Sequence, residues 1–153
     1  MPTIPESVYR LVEKKIRGRN TDVAKAQQAL YRAQQRAFSS SAPATDQQPG
    51  RGSATDSRTE KAVLGILRAE ERLEKARAWE EQLRLTDKTF PPDTLEGRAA
   101  ELIFVRGFDR KSAARIMQCT RETLNKRLDA YVCHAALYAA AAGLIDIKSE
   151  EKL

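Results

Sequence analysis

The stretch Thr120-Arg121-Glu122-Thr123-Leu124-Asn125-Lys126-Arg127-Leu128 winds polar and charged side chains around two leucines four residues apart. With Leu124 and Leu128 facing inward on a helix, Arg121, Glu122, Asn125 and Lys126 project outward over the first turn and a half. Each of these side chains could address the edge of a DNA base in the major groove. Arginine bonds guanine bidentately, asparagine bonds adenine, and glutamate accepts from the cytosine amino group. Arg110, Lys111, Thr120, Arg115 and Arg127 suit phosphate oxygens instead, contacts that position a protein without reading sequence.

Such a face works only if other elements hold it rigidly, and the preceding residues supply them. Leu95, Ala99, Leu102 and Ile103 mark an amphipathic helix, LEGRAAELIFVR, that stops at Gly107. Phe108 is placed to plug the core, and Asp109 to cap a short second helix, RKSAARIMQ, with Ala113, Ala114, Ile116 and Met117 inward. Ala114 is small enough for a close helix crossing. A turn of three or four residues follows, and Thr120 caps the third helix, whose buried side carries Leu124, Leu128, Tyr131 or Val132, and Ala135. The pattern is that of a helix-turn-helix.

Other chemistry finds little support. His134 is the one histidine and the cysteines are two, Cys119 and Cys133, too few for a zinc site of ordinary spacing or a disulfide framework. No second histidine or positioned acid is available to activate Cys119, and no glycine loop to cradle phosphate; PGRG at 49–52 lies in a polar segment. The expectation is a protein that is not an enzyme and needs no cofactor or metal. MPTIPESVYR has no apolar signal segment, and the run AALYAAAAGLI is too short to span a bilayer. A soluble protein of the cytoplasm is expected, with no membrane partner.

Charge points to an anionic partner. The chain carries 27 Lys and Arg against 21 Asp and Glu, a net charge of +6, and neutralising phosphates releases counterions. Residues 1–38 hold 8 basic and 3 acidic side chains, and 106–127 hold 7 basic against Asp109 and Glu122. The excess is concentrated in those two places.

An all-α fold is expected, because Ala, Leu, Glu, Arg and Gln dominate and no long apolar–polar alternation occurs. Over 1–38 the sequence predicts a basic helical hairpin, with Val8, Leu11, Val12 and Ile16 in one helix and Val23, Ala26, Leu30, Ala33 and Ala37 in the next. Gly18-Arg19-Asn20-Thr21 reads as the break between them. Residues 39–56, SSSAPATDQQPGRGSATD, have no large apolar side chain and read as a disordered linker. A long amphipathic helix follows over 57–90, capped by Asp56 or Ser57 with Glu60 completing a capping box. Its seam is Ala62, Ile66, Ala69, Leu73, Ala76 and Leu83, interrupted at Glu80, with Trp79 beside it and Glu70–Lys75 among the charged neighbours. A homodimer through 57–86 is one use for that seam. Thr89-Phe90-Pro91-Pro92 ends the helix, and 91–153 form the helix-turn-helix domain.

TRETLNKRL resembles the recognition helix in the last DNA-binding region of bacterial sigma factors, where a Thr-Arg-Glu start before an apolar residue is common. The turn of those modules usually carries glycine where this chain has Gln118. A wider likeness covers most of the chain. Tyr9-Arg10-Leu11-Val12-Glu13, the polar linker, TDSRTEKAVLGIL, the long helix and the sigma-like module together resemble the RinA/ArpU-type phage transcriptional regulators. That resemblance implies a sequence-specific regulator binding double-stranded DNA in the bacterial host and activating a phage late operon for packaging and lysis. RNA polymerase is then a further candidate partner. A small terminase subunit recognising phage DNA is the alternative that keeps DNA binding. A helical protein-binding adaptor, or a plain three-helix bundle with a charged face, does without it.

Overall fold

The structure is a computed structural model that describes residues 4–41 and 52–147. Every regular element among them is helical: α1 Glu6–Ser41, α2 Gly52–Thr89, α3 Leu95–Ala100 running into a π-helical turn Glu101–Val105, α4 Arg110–Ile116 and α5 Arg121–Ala141. The chain divides into two compact units. One holds residues 1–19 and 78–153, the other 20–77, so α1 and α2 each contribute to both. The start of α1 and the end of α2 thus belong to one core.

Helix α1 is continuous where a hairpin was expected. Glycine in a helix interior costs about 1 kcal/mol relative to alanine, and no proline stands between Glu6 and Ser41 to force a break. Arg19, inside the expected turn, lies within the helix and pairs with Asp87 at 2.6 Å. Buried Ile16 and Ala26 lie on either side of it. The start of α1 packs with the end of α2 rather than with its own second half. Helix α2 likewise begins at Gly52, so Asp56 and Ser57 lie inside it rather than at its start. Cap chemistry favours a start but does not prevent a helix from continuing upstream, and the nearest proline is Pro49. Of the expected linker 39–56, residues 39–41 and 52–56 are helical, and 42–51 lie outside the described residues.

In the unit formed by 20–77, the buried and half-buried positions follow the alternating three- and four-residue spacing expected of both helices. Val23, Ala26, Leu30, Ala33 and Ala37 line α1; Ala62, Ile66, Ala69, Leu73 and Ala76 line α2. The seam of α2 is thus used within the chain. Lys75 pairs with Glu71 at 3.3 Å rather than with Glu70, since residues four apart share a helix face and residues five apart do not.

The other unit has the larger core. Val8, Val12 and Ile16 of α1 and Trp79 and Leu83 of α2 join Ala99, Leu102, Ile103 and Phe104, then Ala113 and Ala114, then Leu124, Leu128, Tyr131, Val132 and Ala135. Phe108 is 39% exposed and does not plug this core; Phe104, at 6%, does. The π-helical turn is the cause. Its bond from the Arg106 amide to the Glu101 carbonyl spans five residues, and this wider turn carries Phe104 into the core beside Leu102 and Ile103, while Phe108, in the turn after Gly107, stays exposed. Leu95 and Ile116 are also exposed, at 50% and 41%. Leu95 is the first residue of its helix, and Ile116 stands about 100° around α4 from Met117.

Helices α4 and α5 end in the same way. The Cys119 amide reaches the Ala114 carbonyl at 3.0 Å and the Gln118 amide the Arg115 carbonyl at 3.2 Å; Leu144 and Gly143 repeat both bonds onto Ala139 and Ala140. This is the Schellman closure, which needs a left-handed residue at its apex. Gly107 and Gly143 take that conformation at φ 74° and 78°, whereas after α4 it falls to Gln118, at φ 55°. A β-carbon there costs about 1–2 kcal/mol, partly offset by the greater freedom of glycine in the unfolded chain. Gln118→Gly should therefore stabilise the protein by about 0.5–1 kcal/mol. Chemical denaturation with the midpoint unchanged or lowered would contradict this.

Candidate nucleic-acid interface

Four residues, Met117 to Thr120, separate α4 from α5, and both α3 and α4 pack on α5. Asp109 caps α4 by accepting the Ser112 amide at 2.7 Å, and Thr120 caps α5 by accepting the Thr123 amide at 3.1 Å. Both caps stand where the sequence placed them. The bond from the Ser112 amide, with Lys111 and Arg121 nearby, holds the Asp109 carboxyl below its ordinary range. Leu124 and Leu128 are fully buried, as are Tyr131, Val132 and Ala135, so the expected inward face of α5 is present.

The outward set divides in two. Arg121, Glu122 and Lys126 are exposed, while Asn125 is half-buried. Lys126 and Glu122 come within 3.9 Å, but with side chains 77% and 83% exposed such a pair holds neither in place. Both can turn toward a ligand. Asn125 is fixed instead: its Oδ1 accepts from Nη1 of Arg110.

The residues expected at phosphates divide similarly. Lys111 and Arg115 are exposed on α4. Arg127 donates to Glu96 at 2.8 Å, tying α5 to the first turn of α3, and Arg110 is engaged with Asn125. Thr120 is occupied as a cap and also donates to the Thr123 hydroxyl at 2.9 Å. Arg110 and Arg127 reach a phosphate only by leaving those partners.

One functional-looking contact was not foreseen. Tyr9, near the start of α1, donates its hydroxyl to Asp129 Oδ1 at 3.0 Å. Asp129 is exposed four residues beyond Asn125 on the same side of α5, so spacing alone could have added it to the face. Its partner lies 120 residues away, and no local pattern reveals such a bond. Burial first, then the bond to Asp129, push the Tyr9 hydroxyl up to about 12. Tyr131 is raised further, again by burial and then by its bond to Asp87 at 2.5 Å.

The remaining reactive side chains are built into the packing. His134 Nδ1 lies 3.0 Å from the Ala130 carbonyl, and the ring meets Phe90 edge-on at 4.8 Å between centroids. Both cysteines are free thiols, Cys133 buried and Cys119 half-buried. Among the described residues no three His, Cys, Asp or Glu side chains converge as a metal site would require. No described helix is long and apolar enough to cross a membrane. Comparison of the chain with protein-family models, with curated proteins and with solved structures finds no match.

Proposed function

We propose that this chain is a sequence-specific DNA-binding transcriptional regulator whose α4–turn–α5 segment is the helix-turn-helix and whose α5 enters the major groove. One observation carries the reading: Arg121, Glu122, Asn125 and Lys126 share the outward side of the first turns of a helix that is capped at Thr120 and anchored by fully buried Leu124 and Leu128. A surface with arginine, asparagine and an acid at those positions suits base edges. Lys111 and Arg115, exposed on α4, supply phosphate contacts. The likeness to RinA/ArpU-type phage regulators supports activation of a late operon as the task, with RNA polymerase as a second partner.

Selection of bound sequences from random double-stranded DNA tests this directly, and an enriched motif is the expected result. Arg121→Ala should weaken binding to that motif by about 1–3 kcal/mol, roughly 5- to 150-fold. Lys111→Ala should weaken all DNA alike and flatten the salt dependence. Failure to enrich any motif would overturn the proposal.

Dimerisation, as part of this reading, uses a surface other than the seam of α2. Val63, Leu64 and Leu67 are about half exposed on α2, at 48%, 49% and 53%, and offer an apolar strip to a second copy. Sedimentation of the full chain should then give a dimer. A ring-sized assembly would instead favour the small terminase subunit.

A further inference from the structure

Asn125 belongs to a chain of polar contacts that runs through three helices. Tyr9 of α1 donates to Asp129 of α5; the Arg110 guanidinium of α4 lies beside the same tyrosine hydroxyl and donates to Asn125 Oδ1. Arginine has no acceptor, so the amide atom that faces it must be oxygen. This settles which way the Asn125 amide is turned, with Nδ2 and its two hydrogens on the other edge.

That orientation bears on which base the side chain can read. Bidentate recognition of adenine needs the amide oxygen aimed at the N6 amino group and the amide nitrogen at N7. Here the oxygen edge is taken by a cation, which also repels an approaching amino donor. Guanine presents acceptors at both N7 and O6 and suits an amide and a guanidinium that offer donors. Resting on the recognition-helix reading above, we propose that Arg110 makes Asn125 a donor-only reader of a guanine edge, and that Tyr9 is the positioning residue that holds Arg110 in place. The raised Tyr9 hydroxyl, at about 12, stays protonated at neutral pH and so keeps its bond to Asp129.

Two experiments test the proposal together. Sequences are selected from random DNA by the unaltered chain, by Asn125→Ala and by Tyr9→Phe. Melting midpoints of Tyr9→Phe, Arg110→Ala and the double variant are measured without DNA. The expected motif contains a guanine whose preference disappears in Asn125→Ala and falls about tenfold in Tyr9→Phe, a loss the size of one good base contact. The other motif positions and the salt dependence should stay unchanged in Tyr9→Phe, which a general loss of structure would not allow. The two single-variant midpoint shifts should be non-additive, as expected for residues in one network. Adenine as the base lost in Asn125→Ala, no position losing its base there, or an undiminished guanine in Tyr9→Phe overturns the proposal. Additive midpoints overturn the network itself, whatever DNA is selected. Absence of any motif with the unaltered chain overturns the recognition-helix reading and this proposal with it, and coupled midpoints would then show that only the DNA arm had failed.

Discussion

Gly97→Ala is expected to destabilise the fold by about 3 kcal/mol, the upper end of the usual range for overpacking. Gly97 lies in the first turn of α3, where its amide donates to the Thr94 hydroxyl at 3.1 Å. A β-carbon there would stand 2.2 Å from the Pro91 carbonyl oxygen, 2.4 Å from that of Phe90 and 2.8 Å from the Pro91 carbonyl carbon. All three are backbone atoms, so no side chain can rotate away to make room. The segment is further fixed by Thr94, whose amide and hydroxyl both donate to the Pro91 carbonyl, at 2.9 and 2.6 Å. Relief therefore requires α3 to lift from Phe90–Pro91, which would open the packing of Ala99 and Ala100, 0% and 5% exposed. Gly65 is the control: a β-carbon at that exposed helical position meets nothing within 4 Å, and Gly65→Ala should gain up to about 1 kcal/mol from helix propensity. Urea unfolding of both variants reads the contrast. A Gly97→Ala protein within 1 kcal/mol of the unaltered chain would show that α3 is not held as closely as described.

The sequence reveals Gly97 as a glycine but not as a point of contact, and the same division runs through the whole molecule. Features set within a few residues were legible. The caps at Asp109 and Thr120 and the inward face from Leu124 to Ala135 follow from local chemistry and helical spacing, while the left-handed turn at Gln118 was pointed to only by the glycine that the resembled modules carry there. Features decided by distant packing were not. Gly18 looks like a breaker because glycine is a poor helix former, yet α1 runs through it and Arg19 pairs with Asp87, 68 residues away. Phe108 was read as a plug between helices after the stop at Gly107, but the π-helical turn brings Phe104 into that role. At the candidate interface, the outward side chains were legible as types. Their partners, Arg110 for Asn125 and Glu96 for Arg127, were not, and these partners decide which donors and charges face outward.

Leu124→Ala should cost about 2–5 kcal/mol, the range for a buried leucine whose loss leaves a cavity. Leu124 is fully buried on the first turns of α5, and its amide closes the first backbone bond of that helix, onto the Thr120 carbonyl at 3.0 Å. Its near neighbours in α5 are Arg121, Glu122, Asn125 and Lys126, so the residue that anchors the helix is surrounded by those proposed to read DNA. Truncating Leu124 removes the packing beneath them while leaving every polar group in place. Arg121→Ala does the reverse: an exposed side chain is lost, and stability should stay within about 0.5 kcal/mol. The two substitutions therefore separate support from recognition. In thermal melts Leu124→Ala should fall well below Arg121→Ala, while at temperatures where both remain folded Arg121→Ala should bind the selected motif more weakly. If Leu124→Ala melts with the unaltered chain, the first turn of α5 is not anchored by this leucine and the outward set has lost its support. If it melts early yet binds as tightly as the unaltered chain, the anchor sets stability alone, and the geometry of the reading face must come from the Thr120 cap and the Arg110–Asn125 contact.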